Sequence, residues 1–196
     1  MKTAVTIGGY ANSDVGGAIE FVKQADKLGV DRVWSAEAWG QDSVTSLAYL
    51  AGQTERIGLG TGIMQISARV PSMIAMTALS MNTLSNGRFV LGLGVSGPQV
   101  VEGLHGVAYD SPLTRLRETV DIVRLGFSGE KLNYRGKHHV LPRPGGEGKP
   151  IRLDHPPTHI PIFLATLAPK SLEYTGAAAD GWLGTSFSPE YPDAHL

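Results

Sequence analysis

Arg56-Ile-Gly-Leu-Gly-Thr-Gly-Ile-Met64 and Gly87-Arg-Phe-Val-Leu-Gly-Leu-Gly-Val-Ser-Gly97 are two short apolar segments, each closing on glycines. One helix-length segment separates them, so together they predict a β-α-β unit with two parallel strands. Glycines at the C-terminal ends of parallel strands leave room for a ligand against the backbone, where α/β folds bind their ligands. Glycines recur at three such ends: Gly8-Gly9, Gly62, and Gly94 with Gly97. That recurrence favours the close approach of a flat cofactor over helix packing as their purpose.

The alternation extends outward from this unit. Ala4–Ile7 is a short strand ending at Gly8-Gly9-Tyr10. Ala18, Phe21, Val22, Ala25 and Leu28 then form an apolar helical face that stops at Gly29. Val33-Trp34 centres a second strand running into Ala36-Glu37-Ala38-Trp39, and Asp42 or Ser43 caps a helix towards Thr54. The strand Ile57–Ile63 precedes a helix with Pro71 in its first turn and Gly87 past its end. After the strand Phe89–Gly94, the run Pro98 to Gly103 predicts a loop, and the glycine spacing is wrong for a dinucleotide fingerprint.

Ser111-Pro112 opens a helix with Leu113, Leu116, Val120, Val123 and Phe127 on one face. Residues 128–160 are an irregular insertion rich in Gly and Pro, with a hairpin expected at Asn133–Leu141 around Arg135-Gly136. Strand Ile162–Ala165, a helix from Pro169 towards Ala179, and strand Trp182–Thr185 complete the series. Six strands alternating with helices, and no composition break, predict one α/β domain over 1–196 with a parallel sheet, doubly wound or closed as a barrel. Closed eight-fold barrels run to about 250 residues, more than the 196 here.

A net charge of -1 argues against a general binder of nucleic acid. The lack of cysteine removes disulfides, thiolate metal sites and cysteine nucleophiles. No apolar run is long enough for a signal peptide or a membrane span, so a cytoplasmic protein is expected. Adjacent His138-His139 would face opposite sides of a strand, and His155 and His159 flank prolines, so no metal site is expected. Neither a Gly-x-Ser-x-Gly elbow nor a phosphate-loop lysine motif supports a hydrolase or a nucleotide triphosphatase. Tyr10 and Trp39, at strand ends, are candidates for the wall of a substrate pocket.

The two glycine strands, with Pro161-Ile-Phe-Leu-Ala165, Val33-Trp-Ser-Ala-Glu37 and Ala179-Asp-Gly-Trp-Leu183, resemble the bacterial luciferase-like family, most of all its branch that uses the deazaflavin coenzyme F420. The resemblance implies a TIM-type (β/α)8 barrel with the cofactor at the C-terminal mouth of the strands. With about six β/α strands, this chain is expected to form an incomplete barrel, the N-terminal part of a longer fold. The resemblance also implies a non-prolyl cis peptide at Gly62-Ile63, in a bulge behind the ring. Ser96, Gly97 and Gln99 match positions that contact the polar ring edge.

Thr166, Leu167 and Ala168, before a helix start, match the phosphate-binding positions; relatives often carry glycine at Leu167 or Ala168, and Thr166 keeps a hydroxyl. Glu37 matches an acidic residue near the cofactor, but the histidine that follows it in several relatives is Ala38 here. His105 is the other candidate catalytic group. The implied activity is hydride transfer between F420 and a small organic substrate, and because relatives are often dimers a homodimer is expected. The alternatives are an FMN-dependent monooxygenase on the same fold and a truncated, marginally stable, non-catalytic relative.

Overall fold

The computed structural model describes residues 2–7, 14–185, 188, 190, 191 and 193. Strand β1 (Ala4–Thr6) leads to helix α1 (Val15–Leu28), which Asp14 caps by accepting from Gly17 N. Gly29 ends it in the left-handed region at φ 81°. Val22 and Ala25 are buried, but Phe21 and Leu28 of the predicted apolar face are 45% and 83% exposed. Asp26 is buried instead, because its carboxylate accepts from the amides of Glu55, Arg56 and Ile57 at 3.0, 2.9 and 2.6 Å. An acid on the helix thereby fixes the start of a strand about thirty residues away.

Next come β2 (Arg32–Ser35) and α2 (Ser43–Ala51), the latter capped by Asp42. β3 (Gly58–Thr61), β4 (Met64–Gln65), α3 (Pro71–Leu84) and β5 (Phe89–Gly94) follow. The loop expected after Gly97 is a one-turn helix, α4 (Pro98–Val101). Proline suits the first helical position, and burial of Val100 and Val101 holds the turn. α5 (Pro112–Phe127) precedes the hairpin β6 (Tyr134–Arg135) and β7 (Val140–Leu141). β8 (Ile162–Ala165), α6 (Pro169–Ala178) and β9 (Gly181–Trp182) close the described series.

The main strands run parallel in the order β1-β2-β3-β5-β8-β9. Neighbours in space are neighbours in sequence apart from β4 and the hairpin, the order of a barrel wall rather than of a doubly wound sheet. Alternate residues face opposite sides. Val33, Leu59, Leu91, Leu93, Ile162 and Leu164 are fully buried and belong to the core shared with the helices. Their neighbours Arg32, Trp34, Gly60, Gly92 and Phe163 face the other side.

On that face the rings of Trp34 and Phe163 stand 5.8 Å apart, although their strands are separated by β3 and β5. Three strand spacings would be roughly 14 Å in a flat sheet, so the sheet is curled and this face is concave. It forms the wall of an incomplete barrel.

Arg88 locks the lower end. It donates to the carbonyls of Ser85, Ile57, Ala51 and Thr54 and to Thr54 Oγ1, at 2.7 to 3.1 Å, which employs all five N–H groups. The hairpin is secured differently. Buried Glu118 of α5 accepts from the amides of Lys137, His138 and His139 at 2.6, 2.9 and 2.8 Å. His138 and His139, expected along a strand, therefore lie in the turn between β6 and β7. Gly136 is needed there, since a Cβ would overlap the Glu118 carboxylate.

Candidate functional site

β3 and β4 are one strand broken by a bulge. Leu59 and Gly60 pair with Phe89 and Val90, while Met64 and Gln65 pair with Leu93 and Gly94. Four steps along β3–β4 thus match three along β5, the count that defines a bulge. The Gly62-Ile63 peptide at its centre is cis. Thr61 repairs the ladder beside it: its Oγ1 accepts from Gly92 N and donates to Gly92 O, both at 2.8 Å.

The strand glycines have a more local purpose than cofactor approach. A Cβ at Gly92 would overlap the Thr61 carbonyl, and one at Gly60 would enter the Trp34 ring. At Gly94 it would stand 3.0 Å from Ile63 Cγ1 and Cδ1. The space at these positions is taken by the chain's own groups, and what they make possible is the seating of Ile63.

Ile63 on Gly94 forms part of the floor of a cavity of about 470 Å³ at the C-terminal strand ends. Ala165 and Leu183 extend this floor, Leu113 and Leu116 form an apolar side, and Glu37, Ser96, Tyr109, Thr166 and Lys170 supply polar groups. The volume lies in the range of small-molecule sites, and an apolar floor with a few polar edges suits a flat heteroaromatic ring. An adjoining cavity of about 280 Å³ shares Val95, Tyr109 and Pro112 with it.

Glu37 is committed on both oxygens. Oε1 accepts from Arg69 Nη1 at 2.7 Å and Gln65 N at 3.3 Å, and Oε2 from Ser43 N and Oγ at 3.1 and 3.2 Å. The side chain is 6% exposed. It ties the end of β2 to the start of α2, to β4 just past the bulge, and to the segment before α3. Arg69 acts on α2 as well: burial pushes the Asp42 carboxyl up, but bonds from Thr45 and Val44 and the Arg69 charge bring it below its ordinary value.

Ser96 has a left-handed φ of 59° and its carbonyl accepts from Tyr109 Oη at 3.3 Å. The cavity wall includes Ser96 but not Gly97, Gln99, His105 or Trp39. Gly97 precedes α4, Gln99 is exposed on it, and His105 follows it with Nε2 buried and unpartnered. Trp39 is 81% exposed. Tyr10 lies outside the described residues.

Thr166, Leu167 and Ala168 do line the cavity. The Thr166 hydroxyl, however, is engaged with Thr175 Oγ1 at 2.7 Å, and Thr175 donates its own proton to Ser171 O. Thr166 must then be the donor to Thr175, so its hydroxyl has no proton left for a ligand. The amides of Leu167 and Ala168 have no acceptor among the described residues.

Tyr109, Lys170 and Arg69 were not singled out by sequence. Tyr109 lies thirteen residues beyond Ser96 in an unpatterned loop; the nearest signals for the other two are Pro169 and Pro71, which mark helix starts. Among the described residues, no cluster of three or more His, Asp or Glu is placed to hold a metal ion, and no helix is long and apolar enough to cross a membrane.

A family model described as "Luciferase-like monooxygenase" matches residues 2–195. A Mycobacterium tuberculosis protein named "Putative coenzyme F420-dependent oxidoreductase" is 42% identical, over 96% of this chain and 56% of its own length. The 5,10-methylenetetrahydromethanopterin reductase of Methanolobus tindarius is 30% identical, over 87% of this chain and 50% of its own length. The solved F420-dependent tetrahydromethanopterin reductase of Methanopyrus kandleri superposes with a TM-score of 0.79 at 20% identity, covering 94% of this chain and 55% of that one. The chain spans about half the length of these curated relatives. It belongs to the luciferase-like monooxygenase family.

Proposed function

From that membership, we propose that this chain forms the cofactor-holding part of an oxidoreductase that exchanges a hydride between coenzyme F420 and a small organic substrate. The observation that carries the proposal is Ile63, seated on Gly94 at the floor of an apolar cavity at the strand C-termini. The F420 names of similar proteins favour deazaflavin over FMN. Coenzyme F420 supplies hydride exchange at the central carbon of its ring when bound.

The chain's residues bind, orient and exclude water. Ile63 offers a rigid apolar support from below, and Leu113 and Leu116 dry one side. Ser96, on the cavity wall, is assigned to the polar ring edge. The amides of Leu167 and Ala168, with the Lys170 ammonium on the same wall, offer donors and positive charge to a phosphate at the start of α6. Tyr109 holds a proton at Oη on the cavity wall, while Glu37 positions the bulge rather than moving a proton. A cytoplasmic location belongs to the same proposal, as does a homodimer, supported by exposed Val70, Met73 and Met76 at the start of α3.

Titration with F420 and, separately, with FMN tests the cofactor, read by absorbance and fluorescence. A response to F420 alone is expected. A response to FMN alone overturns the proposal in favour of a monooxygenase, and no response to either points to a non-catalytic relative.

A further inference from the structure

The cavity of about 280 Å³ beside the Ile63 floor has no part in holding the ring or its phosphate. Its wall carries three basic side chains, Arg69, Arg115 and His139, against one acid, Asp110, and is otherwise mostly aliphatic. The two arginines are engaged differently. Arg115 turns its Nε–Nη2 edge to Asp110 Oδ1 at 3.2 and 2.6 Å, and Nε also donates to Asp110 O at 3.0 Å. Asp110 is thereby taken, and His138 Nδ1 stands 3.9 Å from its other oxygen. Arg69 gives Nη1 to Glu37 at 2.7 Å, and its charge also acts on Asp42. Among the described residues no hydrogen bond engages Arg69 Nε or Nη2.

Nε and Nη2 of an arginine form the planar fork that meets both oxygens of a carboxylate at once. Glu37 acts as the anchor behind that fork. It is itself fixed by Gln65 N and Ser43, and its side chain is 6% exposed against 20% for Arg69. A guanidinium pinned on one side loses little further freedom when it meets a second carboxylate. The other acid beside this wall, Glu118, lies behind His139, whose Nδ1 is 3.2 Å from its Oε2. Each acid around the cavity is therefore matched to a basic side chain, and the unspent groups on its wall are donors.

We propose that this cavity is a subsite for a small carboxylate with an apolar body, which Arg69 grips through its Nε–Nη2 edge. The cavity shares Val95, Tyr109 and Pro112 with the one assigned to the ring, so a molecule held there lies next to the cofactor. Its service as substrate rests on the oxidoreductase proposal, whereas its binding does not.

The 196-residue chain without cofactor is titrated with benzoate and with benzamide, its neutral counterpart, and followed by backbone amide chemical shifts. Benzoate is expected to bind about tenfold or more tightly than benzamide, with shifts centred on Arg69, Val95 and Tyr109. Arg69→Lys keeps a cation for Glu37 but lacks the fork, and is expected to cut that preference about fivefold or more. Arg115→Lys, whose edge Asp110 already occupies, is expected to change it less. No binding of benzoate, equal affinity for the two probes, or a preference that survives Arg69→Lys each overturns the proposal, whatever F420 titration shows. So do shifts centred on Leu167, Ala168 and Lys170, which put the anion at the start of α6; this mapping decides in the wild-type protein even where Arg69→Lys fails to fold. F420 added to the benzoate complex then distinguishes the source of the carboxylate: displacement of benzoate assigns it to the cofactor's own acidic tail, and joint occupancy to a substrate.

Discussion

Replacing Glu37 by glutamine takes one acceptor away from a carboxylate that serves four donors. If the remaining oxygen faces Arg69 Nη1 and Gln65 N, the new NH2 group opposes Ser43 N–H; if it is flipped, the NH2 opposes Arg69. Weakening the charge-assisted bond to a neutral one costs about 1 kcal/mol, and a buried amide left without an acceptor about 1–3 more. A total near 3 kcal/mol corresponds to a fall in melting temperature of about 6–12 °C for a chain of this size. Since Gln65 sits just past the bulge, F420 affinity should fall with stability. Thermal melts followed by circular dichroism, with F420 titration at a temperature where both proteins are folded, measure the two effects. An unchanged melting temperature refutes the positioning role. So does unchanged stability with loss of one limb of the pH profile of turnover, because that outcome belongs to a proton-transfer group.

Gly94→Val places a branched side chain where Ile63 now lies and is expected to reduce F420 affinity tenfold or more; undiminished affinity would separate cofactor binding from the Ile63 seat. Asp26→Ala leaves the amides of Glu55, Arg56 and Ile57 without their acceptor, so urea unfolding should show a loss of about 2–4 kcal/mol. Glu118 gives a pH signature. Burial pushes its carboxyl up, but the amides of His138, Lys137 and His139, with the His139 ring, outweigh this and hold it below its ordinary value. A depressed folded-state value means that its stabilisation is complete at neutral pH and is lost as pH falls below the ordinary glutamate range and through the folded value. Hydrogen exchange at Lys137–His139 should accelerate in that acidic window more than exchange in β5, and Glu118→Gln should show the same acceleration at neutral pH.

Much of the architecture is legible because it is written in local patterns. The apolar runs at Val33, Ile57–Ile63, Phe89–Gly94 and Ile162–Ala165 have strand length, and Gly29, Pro71 and Pro169 punctuate the helices where expected. What escapes is whatever depends on partners distant in sequence. Asp26 in the last turn of an amphipathic helix gives no sign that three amides await it from the next β/α unit. Glu118 is an ordinary helical acid until the hairpin folds back, which is also why His138 and His139 could not be placed. The glycines were visible, but their occupants, the Thr61 carbonyl, the Trp34 ring and the Ile63 side chain, arise only from the curl and the bulge. Ser96 and Thr166 to Ala168 reach the cavity because strand ends converge there. Gln99, His105 and Trp39 do not, because α4 and the loop beyond β2 carry them away.

The wiring of Arg88 bears on how such a protein can change over time. One side chain joins the ends of α2 and α3 to the start of β3, all at the end of the sheet opposite the cavity. Much of the fold's cohesion is therefore placed away from the cavity. Loops at the cavity end can be lengthened, shortened or recruited to a new substrate without cutting any strand of that knot. Lineages that diverge in specificity have freedom at one end because the other is held by Arg88 together with the Asp26 carboxylate.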